Sequence, residues 1–162
     1  MFNHEPKDYV CPICVGVSGI ESDKTLIRQE DVVYKDDEVM AFIASYFIAG
    51  NEGHLIVVPK KHYENLYDLP DDVGARVFSV ARQMAMVMRK GYGCEGVTTL
   101  QNNEPAGGQH AFHYHLHLFP RYKGDSLHEN MGNKRETSVE ERRKFVEKIK
   151  KIGLFKEMWC TI

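Results

Sequence analysis

His113-Tyr114-His115-Leu116-His117-Leu118-Phe119 sets three histidines two residues apart, with apolar side chains at the alternate positions. A strand turns successive side chains to opposite faces. As a strand, this segment puts His113, His115 and His117 on one face and Tyr114, Leu116 and Leu118 on the other, where they suit a core. Neighbouring imidazoles in such a row stand about 6–7 Å apart. Three uses of the row compete. It can be an exposed polar face without chemistry, although three alternating histidines are costly to explain by chance. It can be a metal site, since H-x-H on a strand chelates one ion. It can also hold a phosphate while one neutral imidazole attacks phosphorus and forms a phosphoramidate, splitting one hard substitution into two easier ones. Flanking imidazoles would then fix the tautomer of the nucleophile and stabilise charge on the phosphoryl oxygens.

The loop before this row favours phosphate chemistry. Asn102-Asn103-Glu104-Pro105-Ala106-Gly107-Gly108-Gln109 carries amide side chains and two adjacent glycines. Glycines let backbone N–H groups approach an anion closely, and amides donate hydrogen bonds without adding charge. Further out, Val32–Lys35 and Val39–Ala44 flank the turn Asp36-Asp37-Glu38 and read as a hairpin. Leu55–Val58, ending at Pro59, reads as a central strand, and Val97–Leu100 as another. Asp71 to about Lys90 has helical spacing of apolar residues, with Asp71 or Asp72 as cap and Gly91-Tyr92-Gly93 as stop. Phe112–Phe119 is the histidine strand, ended by Pro120. Ser138 and Glu141 form a capping box for a C-terminal helix to about Lys151. The order predicts an α+β fold, an antiparallel sheet flanked by helices.

The 162 residues fit a single domain with a real core, and 43% of them are hydrophobic, ordinary for a globular chain. A net charge of -2 supplies no basic field, so a nucleic-acid polymer is not the expected partner. No run approaches the ~18 apolar residues of a membrane span, and the N-terminus lacks the basic-then-apolar order of a secretion signal. The expected location is cytoplasmic. In a reducing compartment Cys11-Pro12-Ile13-Cys14 reads as metal-binding or redox-active rather than as a structural disulfide. Its spacing is half of a tetrahedral zinc site. No second C-x-x-C exists, so the other two ligands would be histidines or a lone cysteine. A redox pair would open a helix after a strand, and nothing before Cys11 is long enough to be that strand.

Gly108-Gln109-His110-Ala111-Phe112-His113-Tyr114-His115-Leu116-His117-Leu118-Phe119-Pro120-Arg121 resembles the signature of the HIT (histidine triad) nucleotide-binding proteins. Gly53-His54-Leu55-Ile56-Val57-Val58-Pro59-Lys60-Lys61-His62 is similar to that family's central strand and following turn, and Asn102 falls at its phosphate-side asparagine. The resemblance covers about residues 9–122 and implies one HIT-like domain over 1–162, with a helical extension from about 123. It implies hydrolysis or transfer at the α-phosphate of a nucleotidyl substrate, a dinucleoside polyphosphate or nucleoside phosphoramidate, through a nucleotidyl-histidine intermediate. His115 would be the nucleophile, His117 would contact the α-phosphate or leaving oxygen, and His113 would orient the row. Gln109 would hold the phosphate or water, and Asn102, Gly107 and Gly108 would complete the cradle. It also implies a homodimer with a continued sheet. Some members, and the related galactose-1-phosphate uridylyltransferases, bind a structural zinc at positions matching Cys11, Cys14, His62 and His113.

The chain departs from the family in two places. His110 stands where Ser or Thr is common. Ala44-Ser45-Tyr46-Phe47-Ile48-Ala49 carries no acid where many members have an aspartate for the ribose hydroxyls. Tyr46, Phe47 and Phe42 are candidates to flank a base, with core packing the expected use of Phe42. The charged tail after Arg121 reads as a solvated helix. His54 is a weaker candidate ligand than His62, because it begins the strand. Two rival functions stand beside the leading one: a zinc hydrolase whose three triad histidines share the metal, and a non-enzymatic nucleotide- or partner-binding protein.

Overall fold

The hairpin, the central strand and the histidine segment pair into one sheet in the computed structural model, which describes residues 2–152. In chain order the elements are α1 (Pro12–Val17), β1 (Val32–Lys35), β2 (Val39–Ile43), β3 (Tyr46–Phe47), β4 (Leu55–Pro59), α2 (Asp71–Tyr92), β5 (Gly96–Leu100), β6 (Leu116–Arg121), α3 (Leu127–Asn130), β7 (Arg135–Glu136) and α4 (Val139–Lys151). The five-stranded sheet runs β1-β2-β4-β6-β5, antiparallel throughout, and β3 pairs with β7 in a separate ribbon. This is the α+β architecture expected from the sequence.

Alternation within the strands decides which layer each side chain joins. Val39, Ala41 and Ile43 of β2, Leu55 and Val57 of β4, and Leu116 and Leu118 of β6 face α2, whose Val77, Val80, Met84, Val87 and Met88 complete the main core. Met40, Phe42 and Val58 point the other way, against Cys11, Ile13, Val17 and Ile27. Every residue of β2 is therefore buried. A wholly apolar strand is what a sheet covered on both faces requires.

Three expectations need correction. The β6 strand begins at Leu116 and runs through Pro120, so His113 and His115 precede the paired segment. Alternation nonetheless persists, because Tyr114 N–H donates to the Tyr63 carbonyl (2.6 Å) and holds the chain extended. Pro120 is tolerated because its carbonyl accepts from Asn51 Nδ2 (2.8 Å) beyond the end of β4. A residue's N–H and C=O point the same way in a strand, so no strand needs a donor there. The cap of α2 is Pro70, with Asp71 and Asp72 inside the first turn, where carboxylates favour the positive helix end. The tail is not merely a solvated helix. Residues of α4 pack Val146 and Ile149 into the main core, and Arg142 forms a buried ion pair with Asp31 (2.8 Å). The Ser138–Glu141 capping box is present as expected.

Candidate functional site

Cys11 is the N-cap of α1, and its Sγ accepts the Cys14 N–H (3.3 Å). One helical turn therefore returns the second thiol beside the first. The short helix also satisfies the helix-opening context of a redox pair, although no strand precedes it among the described residues. His62 follows the end of β4 and His113 precedes β6, two neighbouring strands, so both imidazoles reach the same thiols. His113 Nδ1 lies 3.4 Å from each Sγ, and His62 Nδ1 lies 3.3 Å from Cys14 Sγ. All four ligand atoms fall within 4.8 Å of one another. Zn–S and Zn–N bonds in a tetrahedron imply ligand separations of about 3.3–3.8 Å.

The tautomers agree with this use. His113 Nε2 meets the Pro59 carbonyl at 2.9 Å, and His62 Nε2 meets Glu5 Oε2 at 3.2 Å. Each acceptor requires an N–H, which leaves the Nδ1 lone pair of both rings facing the thiols. Such outer partners orient metal-binding histidines. Burial pushes the His113 imidazole down to about 4, against the opposing pull of the Pro59 carbonyl, so the ring is neutral as a ligand must be. Burial and then the Cys11 thiolate push the Cys14 thiol up to about 12. At that value Cys14 is a thiol near pH 7, and holding both sulfurs as thiolates needs a cation between them. The donor set fits a tetrahedral ion such as zinc.

The other two triad histidines lie outside this cluster and line a cleft of about 230 Å³. His115 is buried, and its Nδ1–H donates to the His113 carbonyl (2.6 Å), leaving the lone pair on Nε2. His117 pairs with Ile56 on one side and Leu100 on the other, and its ring stands 5.0 Å from that of His115. Burial lowers the His115 value, with His110 adding to it and the His113 carbonyl opposing. Burial first, then His115, His54 and Lys134, hold His117 well below its ordinary value. Both rings are thus neutral near pH 7, the state in which an imidazole can act as nucleophile.

Asn102 and Gly108 line the cleft, and Asn102 Nδ2 donates to the Gly108 carbonyl (3.3 Å). Gly107 closes the short turn before it. Gln109 is placed differently. Its Nε2 donates to the carbonyls of Glu64 (2.5 Å) and Ala111 (3.1 Å), and its Oε1 accepts the Glu104 N–H (2.7 Å). The amide therefore braces the loop from behind. His110 lines the cleft, as does Tyr46, while Phe42 and Phe47 belong to the two cores.

Sequence reasoning undervalued His54. It belongs to the cleft, not to the thiol cluster, with its ring 5.5 Å from His117 and 4.4 Å from Phe119. Burial and then Lys134 lower it to about 3. The Nδ1 atoms of His54 and His117 are both buried without a hydrogen-bond partner among the described residues. Sheet register places it there: His54 is two residues before Ile56, and Ile56 is paired with His117, so all three share a face. Met131 and Lys134, from the segment between β6 and α4, also reach the cleft.

The HIT domain family matches residues 27–124, more than half of the chain. The chain belongs to the HIT family. Over 96 residues it is 39% identical to Protein hit of Bacillus subtilis, a match spanning 59% of this chain and 65% of that protein. It is 32% identical over 95 residues to the adenylylsulfatase HINT3 of Arabidopsis thaliana, covering 59% of this chain and 47% of that one. Among solved structures it resembles a zinc-bound histidine triad protein from Mycobacterium smegmatis, with TM-score 0.69, 26% identity, and 88% and 95% of the two chains covered. Among the described residues no helix is long and apolar enough to cross a membrane.

Proposed function

We propose that this HIT protein is a nucleotide hydrolase or nucleotidyl transferase acting at the α-phosphate, with His115 as nucleophile. One observation carries the reading: the His115 Nδ1–H is committed to the His113 carbonyl, so the nucleophilic lone pair sits on Nε2 of a ring lining the cleft. Nε2 forms a bond to the α-phosphorus as the bond to the leaving group breaks, and that group departs with the bonding electron pair and takes a proton from solvent water, which the later attack of water returns. Water then attacks phosphorus, the P–N bond breaks, and nucleoside monophosphate leaves as His115 returns to its neutral form. His117 stands beside the reacting centre to contact the phosphoryl oxygens. Asn102 and the Gly107-Gly108 backbone cradle the phosphate, and Gln109 holds the cradle in place through Glu104 and Glu64. Donors preset at the site of developing charge are the largest aid such a reaction can have.

Cys11, Cys14, His62 and His113 would hold one zinc per chain. Zinc there supplies a structural cross-link between the N-terminal segment and the triad, not a Lewis acid. The hydrogen bond from His115 to the His113 carbonyl makes the nucleophile depend on that anchored residue. The zinc-bound relative from M. smegmatis supports the assignment. The adenylylsulfatase relative supports adenylyl compounds as substrates, with dinucleoside polyphosphates and nucleoside phosphoramidates in the same class. A homodimer joined along β5, an edge of the sheet, belongs to the same reading.

The test is AMP release from adenosine 5′-phosphoramidate, adenosine 5′-phosphosulfate and a diadenosine polyphosphate, by the wild type and by His115→Asn, with zinc measured on both. Turnover is expected to fall by about 10³-fold or more with zinc unchanged. Equal turnover in both proteins refutes the nucleophile. Zinc lost together with activity favours the metal-hydrolase rival.

A further inference from the structure

Among the described residues Lys134 is the one lysine or arginine lining the cleft, and no carboxylate lines it. It lies beyond residues 27–124, the part matched by the family. The segment that carries it is fixed to the cleft wall at several points. Leu127 packs with Ile48 and Phe119 under the cleft. Asn130 Nδ2 donates to the Ala49 carbonyl (3.4 Å), and β7, which begins at Arg135, pairs with β3. Thr137 donates both its N–H and its hydroxyl to the Ser45 carbonyl (3.0 Å each). Lys134 is thereby set with Nζ 5.6 Å from the Tyr46 ring centroid. Among the described residues no carboxylate lies within ion-pair distance of that ammonium.

The surroundings make this charge informative. The segment of Tyr46 has Ala44 and no acid where a carboxylate would repel an anion, and Glu136, whose Oε2 accepts from the Tyr46 hydroxyl (3.3 Å), does not line the cleft. Among the described residues the cleft is lined by this cation and by no carboxylate, so it attracts negative charge, and a phosphate oxygen is the strongest acceptor a nucleotide can offer it. The α-phosphate is already served by the histidines and the Asn102–Gly108 loop. Lys134 comes to the cleft from the segment between β6 and α4, outside the strands and the loop that carry those groups, and so offers a contact additional to theirs.

We propose that Lys134 is a specificity residue that binds a second anionic group of the nucleotide, a phosphate or sulfate other than the α-phosphate, so that singly phosphorylated nucleotides are the weaker ligands. The inference rests on the nucleotidyl reading of this cleft. The second group has two sources, the leaving-group side of the α-phosphate or the ribose, and the ligands of the test separate them.

Affinities of the zinc-loaded protein for adenosine 5′-monophosphate, adenosine 5′-diphosphate and adenosine 3′,5′-bisphosphate are measured by calorimetry, in the wild type, Lys134→Gln and Lys134→Arg. The wild type is expected to bind a doubly phosphorylated ligand about 3- to 10-fold more tightly than the monophosphate. Lys134→Gln should abolish that preference and leave the monophosphate within about 2-fold, and Lys134→Arg should retain it. Collapse for the diphosphate alone assigns Lys134 to the leaving-group side, and collapse for the bisphosphate alone assigns it to the ribose. A preference that survives Lys134→Gln, or an equal loss for all three ligands, overturns the proposal, as does a wild type that binds none of them. Binding that follows the charge while no substrate is turned over upholds Lys134 and sinks the catalytic reading.

Discussion

Replacing Gly53 by alanine tests how the C-terminal helix supports the cleft. Gly53 has φ +76° and lies against Phe145 of α4. A Cβ built there would sit 2.1 Å from Phe145 Cδ1, 2.5 Å from Cγ and 2.6 Å from Cε1. The ring would have to retreat by more than 1 Å, roughly, to reach ordinary contact. It is not free to do so, since it meets Phe47 at 5.2 Å and Tyr92 at 5.4 Å edge-to-face. Left-handed backbone costs alanine about 1–2 kcal/mol, and overpacking adds about 1–3 kcal/mol, so Gly53→Ala should lose about 3 kcal/mol in all. Gly50 is the internal control. Its φ is +84°, but a Cβ added there would meet nothing within 4 Å. Gly50→Ala should therefore lose only the backbone share, about 1–2 kcal/mol. Urea unfolding midpoints of the three proteins measure the difference. Because His54 is the next residue and Tyr92 Oη donates to the Gly53 carbonyl (3.0 Å), nucleotide affinity should fall with Gly53→Ala as well. Equal losses for the two substitutions would refute the packing argument and leave backbone strain as the whole effect.

Two predictions complement this one. Cys14→Ser should reduce bound zinc from about one per chain towards none and lower the melting temperature, while mass spectrometry and a thermal melt report the two quantities separately. Asp36 titrates at about 2. Burial alone would raise it, but the N–H groups of Val39 and Glu38, the Arg76 guanidinium and the Tyr34 hydroxyl together outweigh burial. A depressed carboxylate contributes stability that is present above its unfolded value, near 4, and is lost as pH falls towards 2. Arg76→Gln should therefore destabilise the protein at pH 7, and the gap from wild type should close between about pH 4 and pH 2 in urea titrations.

The cleft half of the site was legible because its information is local. The period-two spacing of His113, His115 and His117 marks an extended segment, and Asn102 with the adjacent glycines marks an anion loop. The thiol cluster was half legible: Cys11 and Cys14 share one helical turn, but their histidine partners lie 48 and 99 residues or more away along the chain. His62 and His113 entered through family resemblance. Gln109 illustrates the opposite case. A buried amide satisfied by Glu64, Ala111 and Glu104 carries no mark in sequence that separates it from one facing a ligand.

By itself the sequence determined the α+β class, the helix α2, the capping box of α4 and the alternation of the histidine row, since each depends on residues within one or two turns or strands of one another. Tertiary structure decided the rest. It divided the three histidines between a thiol cluster and a cleft, because β4 ends beside His113 while it still pairs with His117. It brought His54 to the cleft by sheet register, and it carried Lys134 there from beyond the family's matched span by pairing β7 with β3. Those placements arise from contacts between residues far apart in the chain, and no local pattern of residues encodes them.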